Sequence, residues 1–533
     1  MTAPARWSGN TVPRFDADGI RAELENLDQH CYLVSDGART GAVAGGQVAS
    51  EGPYEVLAQA SPSAPESLGS NAFRRAHGVR MAYMAGSMAN GIASVDLVVA
   101  LARSGGLSSF GAAGLSIDRI SAALDRFSSE IPGLPFACNL IHSPAEPKME
   151  RETVDLYLRR GVRCVEASAF LDLTPEIVRY SVSGLRRDRS GGILNEHRVI
   201  AKISRSEVAE KFMRPAPWAV LDALVADGLI EPEQAALAAD MPVAGDITVE
   251  ADSGGHTDRR PLAVALPALL RLRNSLAATL RPMAGLRIGA AGGLGTPEAL
   301  AAAFAMGADY VVTGSVNQSC VEAGTSARVK QLLSRAGVAD CAMAPAADMF
   351  EIGAEVQVLK SGTMYPMRAA RLREFYRTYD GLEAVSEKDV RWLESVFGLS
   401  VDAVWAECLA FFNRRDPEQI LRAKHDPKRR MALVFRWYLG MSAQWASSGE
   451  VGRVRDYQVW CGPAMGGFND WATGSHLEDP ANRFAAEIGR QLMTGAAYHL
   501  RMTQLRAAGA ALSARIATFE PTPRTANHHS ERD

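Results

Sequence analysis

The sequence predicts an α/β protein: a (β/α)8 TIM barrel with an added C-terminal helical subdomain. Three observations predict it. From about residue 78 to about residue 340, short apolar runs alternate with longer helix-patterned stretches. The runs number eight, as a closed parallel barrel requires over roughly this length. Beyond residue 340 the alternation stops and helical periods continue alone.

The predicted strands follow in order. They are "VRMAYMAG" (79–86), "GLSSFGA" (106–112), "PFACNLIHS" (135–143), "VRCVEASAF" (162–170), "HRVIAKIS" (197–204), "DITVEADSGG" (246–255), "LRIGAAGG" (286–293) and "ADYVVTGS" (308–315). Each is short, apolar and bounded by turn residues, as a strand buried on both faces must be. Between most of them lie helical patterns such as "IASVDLVVALARSG" and "PLAVALPALLRLRNSLAATL". Residues 1–75 hold no strong period, and "SPSAPESLGS" (61–70) reads as a linker into the barrel, residues 76–364. Residues 365–515 read as a helical subdomain for substrate or carrier, and 516–533 as a polar, disordered tail.

Composition narrows the function. The hydrophobic fraction is 47%, the charged fraction 22% and the formal net charge −3, which argues against a general nucleic-acid binder. The seven cysteines are scattered without a CxxC pair, so neither a disulfide frame nor a zinc site is expected, and no metal. There is no apolar signal region at the N-terminus and no run long enough to span a membrane. A cytoplasmic protein is the expectation.

The chemistry is expected at the strand ends. In a (β/α)8 barrel the loops after the strands form the active face, and those after strands seven and eight commonly bind phosphate. Here they carry Ala291-Gly292-Gly293 and Gly314-Ser315. Small residues let backbone N–H groups approach phosphate oxygens. The plain alternative is that these glycines only close tight turns. Other strand ends carry Asn139, Glu166, Lys202 and the cluster Asp252, Ser253 and His256. A charged side chain there is paired or faces the pocket. For Glu166 and Lys202 the alternative is an ion pair within the barrel; for His256 it is a turn histidine.

Longer motifs carry a resemblance. "YMAGSMANGIAS", "ADSGGHTDRRPL", "AAGGLGTPEALAAAFAMGADYVVTGSVNQSCVEAGTS", "DMFEIGAEVQVLKSGTMYPMRA" and "DYQVWCGPAMGGFNDW" resemble the trans-acting enoyl reductases of polyketide and polyunsaturated fatty acid synthases. These are relatives of the 2-nitropropane dioxygenase group. The resemblance runs from about residue 68 to about residue 475. It implies an FMN-bearing barrel, NADPH as reductant, and an enoyl thioester on an acyl carrier protein as substrate.

By the same resemblance Ala85, Gly86, Ser87 and Met88 lie against the flavin through backbone groups. Many relatives carry alanine where Ser87 stands. Asn139 bonds the ring edge, and Glu166 belongs to the cofactor site. Lys202 is the cation near the ring's pyrimidine side. Ser253, Gly254, Gly255, Ala291, Gly292, Gly293, Gly314 and Ser315 contact phosphate and ribityl groups. His256 is the expected acid for the substrate α-carbon, with water as a competitor. Arg368, Arg371 and Arg373, with Lys428, Arg429 and Arg430, offer two basic clusters to an acidic carrier; the alternative is a solvated helix face. A homodimer is an open assembly state. Two other functions stay open: a nitronate monooxygenase-like oxidase acting on a small free substrate, and a non-catalytic synthase component.

Overall fold

The structure is a computed structural model that describes residues 5–142, 147–279 and 285–523. The expected tail from residue 524 onward lies outside the described residues. The chain divides into two compact units. One holds residues up to Ala251, Arg260–Ala323 and the chain from Asp470; the other holds Asp252–Arg259 and Gly324–Asn469.

The first unit contains the barrel. Its strands are β1 (Tyr83–Ala85), β2 (Leu107–Phe110), β3 (Ala137–Ile141), β4 (Cys164–Ser168), β5 (Arg198–Ile203), β6 (Asp246–Glu250), β7 (Arg287–Ala291) and β8 (Tyr310–Thr313). They close in chain order, with every pairing parallel. Each lies inside the run from which the sequence predicts it. Side-chain oxygens cap the helices between them: Ser94, Ser116, Thr174 and Thr296 each accept a backbone N–H at a helix start.

Inside the barrel, side chains sort into layers by strand periodicity. The lower layer is apolar and includes Met84, Leu107, Ala137, Cys164, Ile200 and Tyr310. Phe73, from the helix Asn71–His77, joins this cluster, and its ring stacks on Tyr310 with centroids 4.2 Å apart. Gly289 makes room for that tyrosine: a Cβ there would stand 2.3 Å from the Tyr310 ring. At the N-terminal end of β6, Asp246 is fully buried and takes hydrogen bonds from His77 (2.9 Å) and Arg287 (2.7 Å).

Residues 6–60, where the sequence shows no strong period, form a five-stranded antiparallel sheet. Its core holds Trp7, Tyr32, Val34 and Val43, and the Trp7 indole N–H donates to the Gly45 carbonyl at 3.1 Å. The long helix Ala485–Ala507 belongs to the same unit and packs against the helix Pro297–Ala305.

The second unit has a three-stranded sheet of Gly255–His256, Glu355–Leu359 and Cys341–Pro345. Helices Tyr365–Thr378, Glu387–Phe397, Val401–Arg415, Pro417–His425 and Pro427–Ser448 belong to this unit. Phe350, Tyr365, Phe397, Phe435 and Tyr438 form the centre of its core. Among the described residues no single helix is long and apolar enough to cross a membrane.

Candidate active site

The upper layer of the barrel interior is polar. One step above the apolar layer, Asn139 and Glu166 stand side by side in register on β3 and β4. Lys202 follows near the end of β5, and Glu250 ends β6. An unpaired charge would be costly at this depth, so each polar group needs a partner or a ligand.

Glu166 is fully buried. Its Oε2 accepts the backbone N–H of Ser87 at 2.7 Å, while its Oε1 has no hydrogen-bond partner among the described residues. The loop after β1 is therefore held by a carboxylate from β4. The Gly86 N–H donates to the Thr313 carbonyl of β8 at 3.0 Å. Two amides of the loop Ala85-Gly86-Ser87-Met88 are thus committed to protein partners. The Met88 carbonyl accepts from Ala93 at 3.1 Å. This folded loop lies so close to Gly111 that a Cβ there would stand 1.8 Å from the Met88 oxygen.

Asn139 is buried, and its amide group donates to the Glu166 carbonyl (3.1 Å) and to Ser168 Oγ (3.0 Å). Both of its donors are used, which leaves the Oδ1 acceptor for a ligand. Lys202 pairs with Glu250 at 3.2 Å, with the two side chains 21% and 19% exposed. Burial opposes the charge on Lys202, but the carboxylates of Glu250 and Glu166 outweigh it and hold the ammonium above its ordinary range. The direct ion pair open for Lys202 in the sequence thus forms with Glu250, not with Glu166.

Ala291 ends β7, and Gly292 and Gly293 follow in left-handed backbone with φ of 88° and 72°. A Cβ on Gly293 or on Gly314 would meet nothing within 4 Å. These two glycines therefore border open space rather than filling a packing gap. Ser315 opens a short helical turn directly after Gly314.

Ser253, Gly254, Gly255 and His256 belong to the second unit. Gly254 has a packing reason of its own, since a Cβ would stand 2.9 Å from the backbone nitrogen of Cys461. His256 is 41% exposed, and its Nε2 lies 3.2 Å from Asp348. Burial pushes the Asp348 carboxyl up, but the bond and charge of His256 prevail and hold it below its ordinary range.

The basic clusters read from the sequence are spent inside the second unit. Arg368 pairs with Asp456, Arg371 with Asp389 and Arg373 with Glu355. Arg429 pairs with Glu351 and Arg430 with Glu383, while Lys428 donates to the Tyr379 carbonyl. Five of these six groups thus stand in ion pairs within the unit and Lys428 bonds a carbonyl, so the two clusters are not fields of unpaired charge. Three groups escape the sequence: Glu250, the pair His142–Glu150, and the set Asp246, His77 and Arg287. Glu250 carried the same signal as Lys202, a charge ending an apolar run.

Two family models match the chain: the fatty acid synthase subunit PfaD N-terminal domain over residues 7–62, and the inserted helical domain of [acyl-carrier-protein] S-malonyltransferase over residues 379–457. The enoyl reductase domain of MlnA from the macrolactin biosynthesis cluster of Bacillus amyloliquefaciens superposes with a TM-score of 0.78 at 37% identity. That match covers 83% of this chain and 98% of that one. A polyunsaturated fatty acid synthase polypeptide of Thraustochytrium sp. is 43% identical over 95% of this chain and 34% of its own length. The polyketide biosynthesis protein PksE of Bacillus subtilis is 44% identical over 83% of this chain and 58% of its own length. The chain belongs to the enoyl reductase family of polyketide and polyunsaturated fatty acid synthases, oxidoreductases built on a TIM barrel. It spans about a third of the Thraustochytrium polypeptide and somewhat over half of PksE.

Proposed function

We propose that the protein is an FMN-bearing enoyl reductase that acts in trans. It takes hydride from NADPH and saturates the α,β-double bond of enoyl thioesters carried on an acyl carrier protein. The observation that carries the reading is the polar upper layer. Glu166 Oε1 is a buried acceptor without a partner among the described residues, and Asn139 has only its acceptor left. Open space borders Gly293 and Gly314 at the ends of the two strands whose loops commonly bind phosphate. A planar ring with N–H donors and a single terminal phosphate fits that set. The absence of a Rossmann GxGxxG fingerprint in the sequence favours FMN over a dinucleotide flavin.

The chemistry that FMN supplies when bound is hydride relay from NADPH to the substrate β-carbon. The protein's share is orientation and electrostatics. Asn139 and Glu166 would accept from the ring of a bound FMN, and the Glu166–Ser87 bond holds the first loop in place for it. Lys202 would supply the cation for the negative charge that gathers on the ring on reduction. His256 supplies the α-proton, with water as its competitor. Carrier recognition rests on the family, since the two basic clusters are committed to internal pairs.

The test is anaerobic. The purified protein is mixed with NADPH while flavin absorbance is followed, and an enoyl-carrier thioester is then added. Bleaching followed by reoxidation is expected. A colourless protein, or one that NADPH does not bleach, refutes the reading.

Lys202→Met is expected to slow flavin reduction by about 10- to 1000-fold, or about 1.4–4 kcal/mol, with flavin content kept. The variant removes a cation and with it the Lys202–Glu250 ion pair. Stopped-flow reduction checks it, and an unchanged rate in the flavin-loaded variant takes Lys202 out of the site.

A further inference from the structure

Ser168 ends β4, and strand alternation sets Cys164, Glu166 and Ser168 on the inner face of the barrel. Cys164 belongs to the apolar interior layer, and Glu166 reaches across to the Ser87 amide. The direction of Ser168 is fixed by a bond and not by alternation alone. Its Oγ accepts the Asn139 side-chain N–H at 3.0 Å. Asn139 is buried and stands in register with Glu166, so the hydroxyl lies in the polar upper layer.

A hydroxyl has a proton to give as well as lone pairs to offer. Here a lone pair takes Asn139, and no acceptor among the described residues takes the proton. Ser168 keeps 8% of its surface exposed, whereas Glu166, one step below, is sealed. The backbone of Ser168 is held on both sides. Its carbonyl accepts the His142 N–H at 3.1 Å, and Ala169 turns the chain in left-handed backbone with φ of 63°. Such a conformation in a non-glycine residue persists only where the surroundings enforce it. The hydroxyl therefore stands on a fixed base, with its donor unspent.

Register sets this donor in a row. Between β4 and β5, Glu166 stands opposite Ile200 and Ala167 opposite Ala201, so Ser168 is level with Lys202. On the other side it is bonded to Asn139 of β3. From β5 to β3 the inner face thus reads cation, hydroxyl donor, amide with a free acceptor. The pyrimidine edge of a flavin reads in the complementary order. N1 gathers negative charge on reduction, the C2 carbonyl accepts, and N3–H donates. A phosphate or an aliphatic chain has no such edge.

We infer that the Ser168 hydroxyl donates to the C2 carbonyl oxygen of the bound flavin, beside the N3–H taken by Asn139. The inference rests on the FMN enoyl reductase reading proposed above. Ser168 then acts in two ways. As an acceptor it holds the Asn139 amide with its nitrogen committed and Oδ1 left for the ring. As a donor it meets an oxygen whose negative charge grows when the ring is reduced. A hydrogen bond to a charged acceptor is stronger than one to a neutral acceptor, so Ser168 favours the reduced form. Ser168 keeps its own proton throughout.

The experiment removes FMN from the full chain and titrates it back into wild type, Ser168→Ala and Ser168→Thr. The readouts are the dissociation constants, the midpoint potential and the flavin carbonyl stretches in the infrared. Ser168→Ala is expected to weaken oxidised FMN by about 3- to 10-fold and reduced FMN by about tenfold more. That tenfold difference lowers the midpoint potential by about 30 mV. One carbonyl stretch moves to higher wavenumber. Ser168→Thr, which keeps the hydroxyl, restores both the band and the potential. Wild type should also bind N3-methylated FMN, which lacks the N3–H, about tenfold more weakly than FMN. An unmoved stretch and potential in flavin-loaded Ser168→Ala overturn the inference, as does equal affinity of wild type for FMN and its N3-methyl analogue. Equal weakening of both redox states with the stretch unmoved marks a structural part only, and overturns it too. A wild-type protein that neither contains nor rebinds FMN overturns the functional reading first, and this one with it.

Discussion

Asp246→Asn is expected to lower the free energy of unfolding by about 3–5 kcal/mol, the range for breaking a buried ion pair from one side. Asp246 is completely buried at the start of β6, and its oxygens accept from His77 and from two nitrogens of Arg287. The amide keeps the volume but turns one acceptor into a donor facing donors. Arg287 sits 14% exposed and then loses the carboxylate to which it is hydrogen-bonded. The site closes the barrel at the end opposite the candidate active site, so the loss is one of stability. Urea unfolding measures it. A change below about 1 kcal/mol would show that the barrel bottom relaxes around the amide. The NADPH half-reaction of the folded variant should stay within a few-fold of the wild type.

The same residue sets an acid limit. Burial alone pushes the Asp246 carboxyl up, but His77 and Arg287 prevail and hold it at about 2, against an ordinary value of 3.8. A carboxylate whose folded pKa is depressed contributes stability above its unfolded pKa. That contribution, about 2 kcal/mol by linkage, is lost as pH falls from about 4 through about 2. In Asp246→Asn this part of the acid dependence should be missing.

The barrel is legible in the sequence because its strands are buried on both faces. A run such as "VRCVEASAF" has no solvent side and so shows as continuous apolar text between polar helices. The N-terminal sheet lacks that signal. Its strands Arg6–Ser8 and Gln47–Ala49 are three residues long and pair with each other across some 40 residues of chain. No local window holds both.

The candidate site is legible at single residues and not in its pairings. Asn139, Glu166 and Lys202 stand out as polar groups in apolar runs, but barrel register decides who meets whom. Lys202 meets Glu250 on the next strand, while Glu166 reaches the backbone of Ser87 after β1. His142 ends one strand run and its partner Glu150 lies in the first turn of the next helix, so no single pattern joins them. The basic clusters misled for a related reason. The chain has 57 basic and 60 acidic residues, so a run of arginines can be met by carboxylates from elsewhere in the chain. Asp456, which takes Arg368, is itself buried.

Arg501→Met is expected to cost about 3–5 kcal/mol and to release the N-terminal sheet from the barrel unit. Arg501 lies on the helix Ala485–Ala507 and is fully buried. No carboxylate faces it in a hydrogen bond among the described residues. Its guanidinium instead donates to the carbonyls of Leu24 (3.0 Å), Asn26 (2.7 Å), Leu27 (3.2 Å) and Gln29 (2.7 Å). These oxygens belong to the end of the helix Ala17–Glu25 and the turn after it, where carbonyls lack intrahelical donors and carry the negative end of the helix dipole. Burial pushes the Arg501 pKa down, which reflects the cost of holding the charge there. Methionine fills much of the volume but leaves four acceptors without the donor they share. Each buried hydrogen bond to a charged group is worth about 1.5–3 kcal/mol, and the four act as one unit rather than adding. Lysine has three donors on a single nitrogen and cannot reproduce the fork, so Arg501→Lys should recover less than half of the loss. Limited proteolysis separates local release from global unfolding. Cleavage confined to the first 60 or so residues, with NADPH still bleaching the flavin, marks release of the sheet alone. Resistance equal to wild type, with an unchanged unfolding midpoint, would mean that the sheet is held by its apolar contacts and that the carbonyl cage adds nothing.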